Sequence, residues 1–219
     1  DLARMVAEMG GLAEKLVADS VDALAKRDTA LAQRVTQDDA NIDLLQREIE
    51  DKAINTIARR QPMAVDLRDI VGALRLANDL ERIGDLAKNI AKRVVALNGE
   101  FPPPKLIRGV EHMADLVLGQ MKAVLDAYAR RDDSKAMAVW RGDEEIDAVC
   151  TSVFRELLTY MMEDPRNITF CIHLLFCAKN IERMGDAATH IAETVLYMIE
   201  DKPITDQRPK GDTTSFAAL

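Results

Sequence analysis

Apolar side chains between residues 65 and 98 return every third or fourth position: Ile70, Leu74, Ala77, Leu80 with Ile83 beside it, and Ala87. That step lays one apolar stripe along a helix and leaves the opposite face polar. Such stretches recur along the chain, and the prolines separate them: Pro62, Pro102, Pro103, Pro104, Pro165, Pro203 and Pro209. A proline inside a helix removes a hydrogen-bond donor, clashes with the preceding turn and costs about 3 kcal/mol, so long proline-free periodic stretches predict helices. Turn and capping signals at Arg27-Asp28-Thr29 and Arg131-Asp132-Asp133-Ser134 divide them further. Six helices are expected, over Leu2 to Lys26, Thr29 to Arg60, Val65 to Asn98, Lys105 to Arg130, Ser134 to Glu163 and Asn167 to Glu200. Short turns between long helices force antiparallel neighbours, so each half reads as an up-down-up bundle.

The two halves are one pattern written twice. A shift of 104 residues carries Arg4, Val6, Met9, Leu12, Asp22, Asp28, Asp39 and Asp43 onto Arg108, Val110, Met113, Leu116, Asp126, Asp132, Asp143 and Asp147. Beyond the Pro62/Pro165 turn the shift becomes 101. It then carries Ala77, Glu81, Arg82, Gly84, Asp85 and Ile90 onto Ala178, Glu182, Arg183, Gly185, Asp186 and Ile191. Helix breaks, glycines and acids that coincide in this way imply duplication. The expected fold is therefore all-α, a tandem duplication of two antiparallel three-helix bundles. The first repeat covers residues 1–99 and the second 105–200. Residues 100–104, with three prolines in a row, form a stiff linker, and residues 201–219 form a disordered tail.

Composition narrows what such a bundle does. The chain has 219 residues, 48% hydrophobic and 30% charged, enough for a sizeable core. Its net charge is −8, which argues against nonspecific nucleic-acid binding and against anionic membrane surfaces, and suits metal cations better. No apolar run approaches the roughly 18 residues of a membrane span. Three cysteines, Cys150, Cys171 and Cys177, without a CxxC, fit reduced thiols in a cytoplasmic protein. The sequence opens on Asp1 rather than Met, so its natural start is expected upstream.

Four carboxylate pairs stand at i, i+4 spacing: Asp39/Asp43, Glu81/Asp85, Asp143/Asp147 and Glu182/Asp186. Both members of each pair project from one helix face. The pairs fall at equivalent places on the second and third helices of each half, where antiparallel packing brings two pairs together. Like charges so gathered repel, and a cation relieves them; hard oxygen ligands suit Fe, Mn, Mg or Ca. His190, four residues beyond Asp186, adds a candidate nitrogen ligand that favours a transition metal and brings Zn among the candidates. Gly84 and Gly185, each mid-helix at a cost of about 1 kcal/mol, imply a close approach by another element. The plain alternatives are solvated acidic faces, with Arg82 and Arg183 as salt-bridge partners, and ordinary small-residue packing.

His112 and His173 read as structural histidines, Cys171 and Cys177 as core thiols, and Trp140 and the Met161-Met162 pair as packing. There is no Gly-rich phosphate loop and no nucleophile elbow. A carboxylate-bridged metal oxidase would carry Glu-x-x-His motifs. Gly109, Phe170 and Ala187 stand three residues before the histidines instead. No enzymatic activity is expected.

Leu80-Glu81-Arg82-Ile83-Gly84-Asp85 and Ile181-Glu182-Arg183-Met184-Gly185-Asp186 resemble the paired signature of the PhoU family. Ala58-Arg59-Arg60-Gln61-Pro62 followed by Asp66-Leu67-Arg68, and Leu158 to Arg166, resemble that family's turns between its second and third helices. The resemblance runs from Asp1 to about Glu200. It implies two similar three-helix bundles with metal clusters on E(D)xxxD motifs, here Asp39/Asp43 with Glu81/Asp85 and Asp143/Asp147 with Glu182/Asp186. It also implies a negative regulator of the phosphate-starvation response and of high-affinity phosphate uptake. Such a protein links the ATPase of a phosphate ABC transporter to a sensor histidine kinase. It is cytoplasmic, peripheral to the inner membrane through its partners, and often a homodimer. A metal-free helical scaffold is the alternative.

Overall fold

In the computed structural model, which describes residues 1–97 and 103–200, the chain rises and falls through helices whose ends follow the capping chemistry. Helix α1 spans Leu2–Lys26, α2 Thr29–Arg60, α3 Val65–Ala96, α4 Pro104–Arg130, α5 Asp133–Arg141, α6 Asp143–Glu163 and α7 Ile168–Glu200. No strand occurs among the described residues. Asp28 accepts the backbone N–H of Leu31 at 2.8 Å, and its repeat-mate Asp132 accepts that of Lys135 at 2.9 Å. Each cap follows a left-handed residue that closes the previous helix, Arg27 and Arg131. The same turn is thus built twice from equivalent residues.

Six helices are long, and the predicted fifth helix is two consecutive segments, α5 and α6, meeting at Gly142. The Gly142 N–H donates to both Ala138 and Val139 carbonyls, which tightens the last turn of α5. Of the predicted linker, Pro103 is extended and Pro104 opens α4, where a missing N–H costs nothing. Residues 100–102 of the predicted linker and the tail 201–219 lie outside the described residues.

Cross-helix polar contacts give the directions. Lys52 pairs with Asp1 and Lys15 with Asp38, so α1 and α2 are antiparallel. Gln46 bonds Asn78 and Lys88 bonds Asp39, so α2 and α3 are antiparallel too. In the second half, Trp140 donates to Glu193 and Thr189 to Asp143, setting α5 and α6 antiparallel to α7. The halves then share a core. Helix α3 packs along α7 and α1 along α4, and one buried apolar cluster includes Leu76, Leu80 and Ile83 from α3 with Ile181, Met184 and Ile191 from α7. Arg75 stacks over Tyr197 and Arg93 over Phe176 at 4.1 Å to the ring centroid, so α3 and α7 run antiparallel and bring residues 84 and 185 level along the seam.

Cys171 and Cys177 are buried as expected, and burial pushes the Cys177 thiol up to about 12. Trp140 is buried with its indole N–H satisfied. The Met161-Met162 pair divides: Met161 packs against the core, whereas Met162 is 85% exposed. Successive residues on a helix point about 100° apart, and the last turn of α6 has only one face against α4 and α7.

Candidate functional site

The four pairs settle at the α2–α3 and α6–α7 interfaces, one cluster per half. Asp39 comes from the buried stripe of α2, flanked by Val35 and Ile42, and is 3% exposed. Asp43 lies one turn on and half-buried, while Glu81 and Asp85 face it from α3, also half-buried. Gly84 makes room for this approach. A Cβ there would stand 2.9 Å from Ile42 Cδ1 and 3.2 Å from Asp39 Oδ1. Gly185 repeats the arrangement, with Ile146 Cδ1 at 3.0 Å and Asp143 Oδ1 at 3.6 Å. The close approach inferred from the two glycines is therefore to the side chains that carry and flank the acid.

All four first-half carboxylates feel one another. Burial raises the Asp39 carboxyl above its ordinary range; bonding from Lys88 opposes this, and Asp43 and Asp85 add to the rise. Glu81 is raised by burial first and then by Asp85, Asp43 and Asp39. The positive charge inside this group belongs to the chain itself. Lys88 Nζ lies 2.5 Å from Asp39 Oδ2 and 2.8 Å from Asp85 Oδ1.

In the second half Asp143, Asp147 and Glu182 are all buried, at 2%, 6% and 8% exposure, and Asp186 is half-buried. The Asp143 carboxylate accepts a long bond from the Thr189 hydroxyl at 3.4 Å. Glu182 Oε1 accepts from Lys179 at 2.7 Å, but Glu182 Oε2 is buried with no hydrogen-bond partner among the described residues. An orphaned buried carboxylate oxygen is costly and asks for a cation or donor. Asp147 and Glu182 also line a cavity of about 380 Å³ between α6 and α7 whose other walls include Phe154, Ile172 and Phe176. Those three side chains are 38–48% exposed, so an apolar groove opens beside the acids.

The fit to a metal ion therefore differs between the halves. Among the described residues no three His, Cys, Asp or Glu side chains are arranged so as to hold an ion. Carboxylates would have to turn toward one. The second cluster fits, because Glu182 Oε2 lacks a partner that an ion would supply. The first does not, because an ammonium group already stands among its acids.

His190 is brought elsewhere than to the α6 acids. Its Nδ1 lies 3.9 Å from Asp79 Oδ1 across the α3–α7 seam. Burial pushes Asp79 up to about 6, against the pull of His190 and Arg82 and with a further push from Glu193. A carboxyl raised in the fold from 3.8 holds a proton that the unfolded chain releases, so its contribution to stability falls as pH rises between about 4 and 6. Asp79→Asn should remove that slope and raise stability at pH 7 by roughly 1–2 kcal/mol. Urea unfolding at pH 4.5 and 7 reads both, and an unchanged slope in Asp79→Asn would clear Asp79 of the effect.

The family model described as the PhoU domain matches residues 6–94 and residues 110–195. A protein of Rhizobium meliloti, named phosphate-specific transport system accessory protein PhoU homolog, is 62% identical over 214 residues, covering 98% of this chain and 90% of that protein. A protein of the same name from Caulobacter vibrioides is 52% identical, covering 98% of this chain and 95% of that one. The crystal structure of PhoU from Pseudomonas aeruginosa superposes with a TM-score of 0.88 at 39% identity, covering 92% of this chain and 97% of that one. That of the phosphate transport system regulatory protein PhoU from Streptococcus pneumoniae reaches 0.85 at 26% identity, covering 93% and 95%.

Proposed function

This chain belongs to the PhoU family, and from that premise we propose that it is a regulatory adaptor that restrains phosphate uptake and the phosphate-starvation response when phosphate is plentiful. Its relatives are named as accessory proteins of the phosphate-specific transport system, and a role in that system comes with them. The finer reading is that it works in the cytoplasm, at the inner membrane through its partners, between the ATPase of a phosphate ABC transporter and a sensor histidine kinase, as a homodimer. No described helix is long and apolar enough to cross a membrane. The observation that carries the adaptor reading is the pairing of rigid helical faces with an exposed apolar groove. Phe154, Ile172 and Phe176 offer a partner half-exposed apolar surface beside buried charge.

In the second half Asp143, Asp147, Glu182 and Asp186 are the residues that would hold a metal ion. Iron, manganese, zinc and magnesium are the candidates. When bound, the ion would supply positive charge and stiffness, with no chemical turnover. The residues themselves hold the α6 and α7 faces in register and set the shape of the groove. This is a binding role, and the family is one of accessory proteins rather than enzymes.

A deletion strain carrying a reporter of a phosphate-starvation promoter tests the proposal. In phosphate-rich medium the strain should express the reporter constitutively. The wild-type chain should restore repression, and Phe154→Asp/Phe176→Asp should fail to, although the folded protein is present at wild-type level. Full repression by that variant would remove the groove from the adaptor surface. A reporter indifferent to deletion would overturn the regulatory reading.

A further inference from the structure

We propose that Lys88 is the resident cation of the first acidic cluster, so that the first half of the chain takes no metal ion and only the second cluster is left to accept one. Lys88 lies on α3 one turn after Asp85, with its side chain 23% exposed, and reaches Asp39, whose side chain is 4% exposed on α2. Its two bonds, at 2.5 and 2.8 Å, place Nζ between the two helices, in the space their carboxylates share. An ammonium and a divalent ion cannot share that space, since each would add to the charge the other must overcome. Lys88 donates to both carboxylates, one from each helix, so its ammonium group ties α2 to α3 across the cluster.

No lysine stands at the equivalent place in the second half. The 101-residue shift that carries Glu81 onto Glu182 and Asp85 onto Asp186 carries Lys88 onto Thr189. That hydroxyl is neutral, fully buried, and donates also to the Gly185 carbonyl. Lys179 approaches Glu182 from a different place, three residues before it, with its side chain 50% exposed. It satisfies one carboxylate oxygen and leaves Oε2 without a partner. Duplication thus produced two acidic clusters, and the first holds Lys88 where the second has Thr189.

Only the statement about the second cluster rests on the metal reading of the proposed function; the statement about Lys88 stands on the first-half geometry alone. The experiment keeps them apart. Wild type, Lys88→Met, Lys88→Met/Asp39→Asn, Asp39→Asn and Glu182→Gln are stripped with chelator, equilibrated with excess Mn²⁺, desalted and analysed for metal per chain. Lys88→Met should bind about one Mn²⁺ more than wild type, because four carboxylates then lack a cation, and adding Asp39→Asn should abolish the gain. Melting read on the same samples guards against a variant weakened by its uncompensated acids. Mn²⁺ should raise the Tm of Lys88→Met and leave that of the double variant unmoved. Equal Mn²⁺ in wild type and Lys88→Met, or wild-type metal that Asp39→Asn removes, would overturn the proposal. Wild-type metal lost in Glu182→Gln supports the second site, and metal-free wild type beside loaded Lys88→Met would sink that site alone.

Discussion

Leu80→Ala should lower the unfolding free energy by about 3 kcal/mol and leave unfolding a single transition. Leu80 is fully buried on α3, the helix that packs against α1 and α2 in its own half and against α7 in the other. Truncation to alanine removes three carbons from a site walled on all sides, and long helices anchored at both ends collapse only partly into the space. Its repeat-mate Ile181 is equally buried, so Ile181→Ala should cost a similar amount. The single transition follows from the seam. Residues of both halves belong to one continuous buried cluster, and neither half could open without exposing apolar surface of the other. Guanidinium unfolding followed by circular dichroism and by Trp140 fluorescence, a probe of the second half, checks both points. Separate midpoints for the two signals, with Leu80→Ala shifting only the earlier or only the later one, would mean that the halves fold independently.

What the sequence made legible, and what it hid, follows the range of each interaction. Helix ends depend on local chemistry, and the expected spans of α1 and α2 coincide with those found because Asp28 and Arg27 decide them within a few residues. The i, i+4 rule correctly puts each pair of acids on one face. It does not say what else reaches that face. Lys88 falls outside that rule, because the spacing pairs acids on one helix and Lys88 reaches Asp39 on another. Its signal was present all the same, a lysine three residues after Asp85 where the other repeat has Thr189. His190 shows the same limit from the other side. Position on α7 gives it a helix face, but α7 is wrapped by α3 as well as by α5 and α6, and the ring turns to Asp79. The α5–α6 break was hidden for a different reason. Its counterpart in the first half is Asp38, inside an unbroken α2, so the duplication argued for continuity. Gly142, with Asp143, Glu144 and Glu145 opening a new first turn, broke it, since acids at a helix start meet the exposed N–H groups favourably.

Gly84 and Gly185 give the other large expected effect. Gly84→Val should destabilise the protein by about 3 kcal/mol, Gly185→Val by less, and Gly11→Ala should stabilise it by about 0.5–1 kcal/mol. Helix propensity alone would predict gains everywhere, because each glycine is mid-helix and each replacement restricts the unfolded chain. Packing reverses the sign at two of the three. Around Gly11 nothing lies within 4 Å of a built Cβ, so only the propensity term acts. At Gly84 a Cβ already meets Ile42 Cδ1 at 2.9 Å and Asp39 Oδ1 at 3.2 Å, and the two methyls of valine reach further. Ile42 is fully buried and cannot swing into solvent. Asp39 could move only by leaving Lys88, which would strand a buried carboxylate. At Gly185 the corresponding distances are 3.0 and 3.6 Å, so relaxation of a few tenths of an ångström relieves more of the strain. Thermal and urea unfolding of the three variants should therefore rank Gly84→Val lowest, Gly185→Val next, wild type third and Gly11→Ala highest. A Gly84→Val protein as stable as wild type would mean that α2 and α3 can part at that level. The acids would then owe their proximity to whatever cation lies between them rather than to the fit of the two helices.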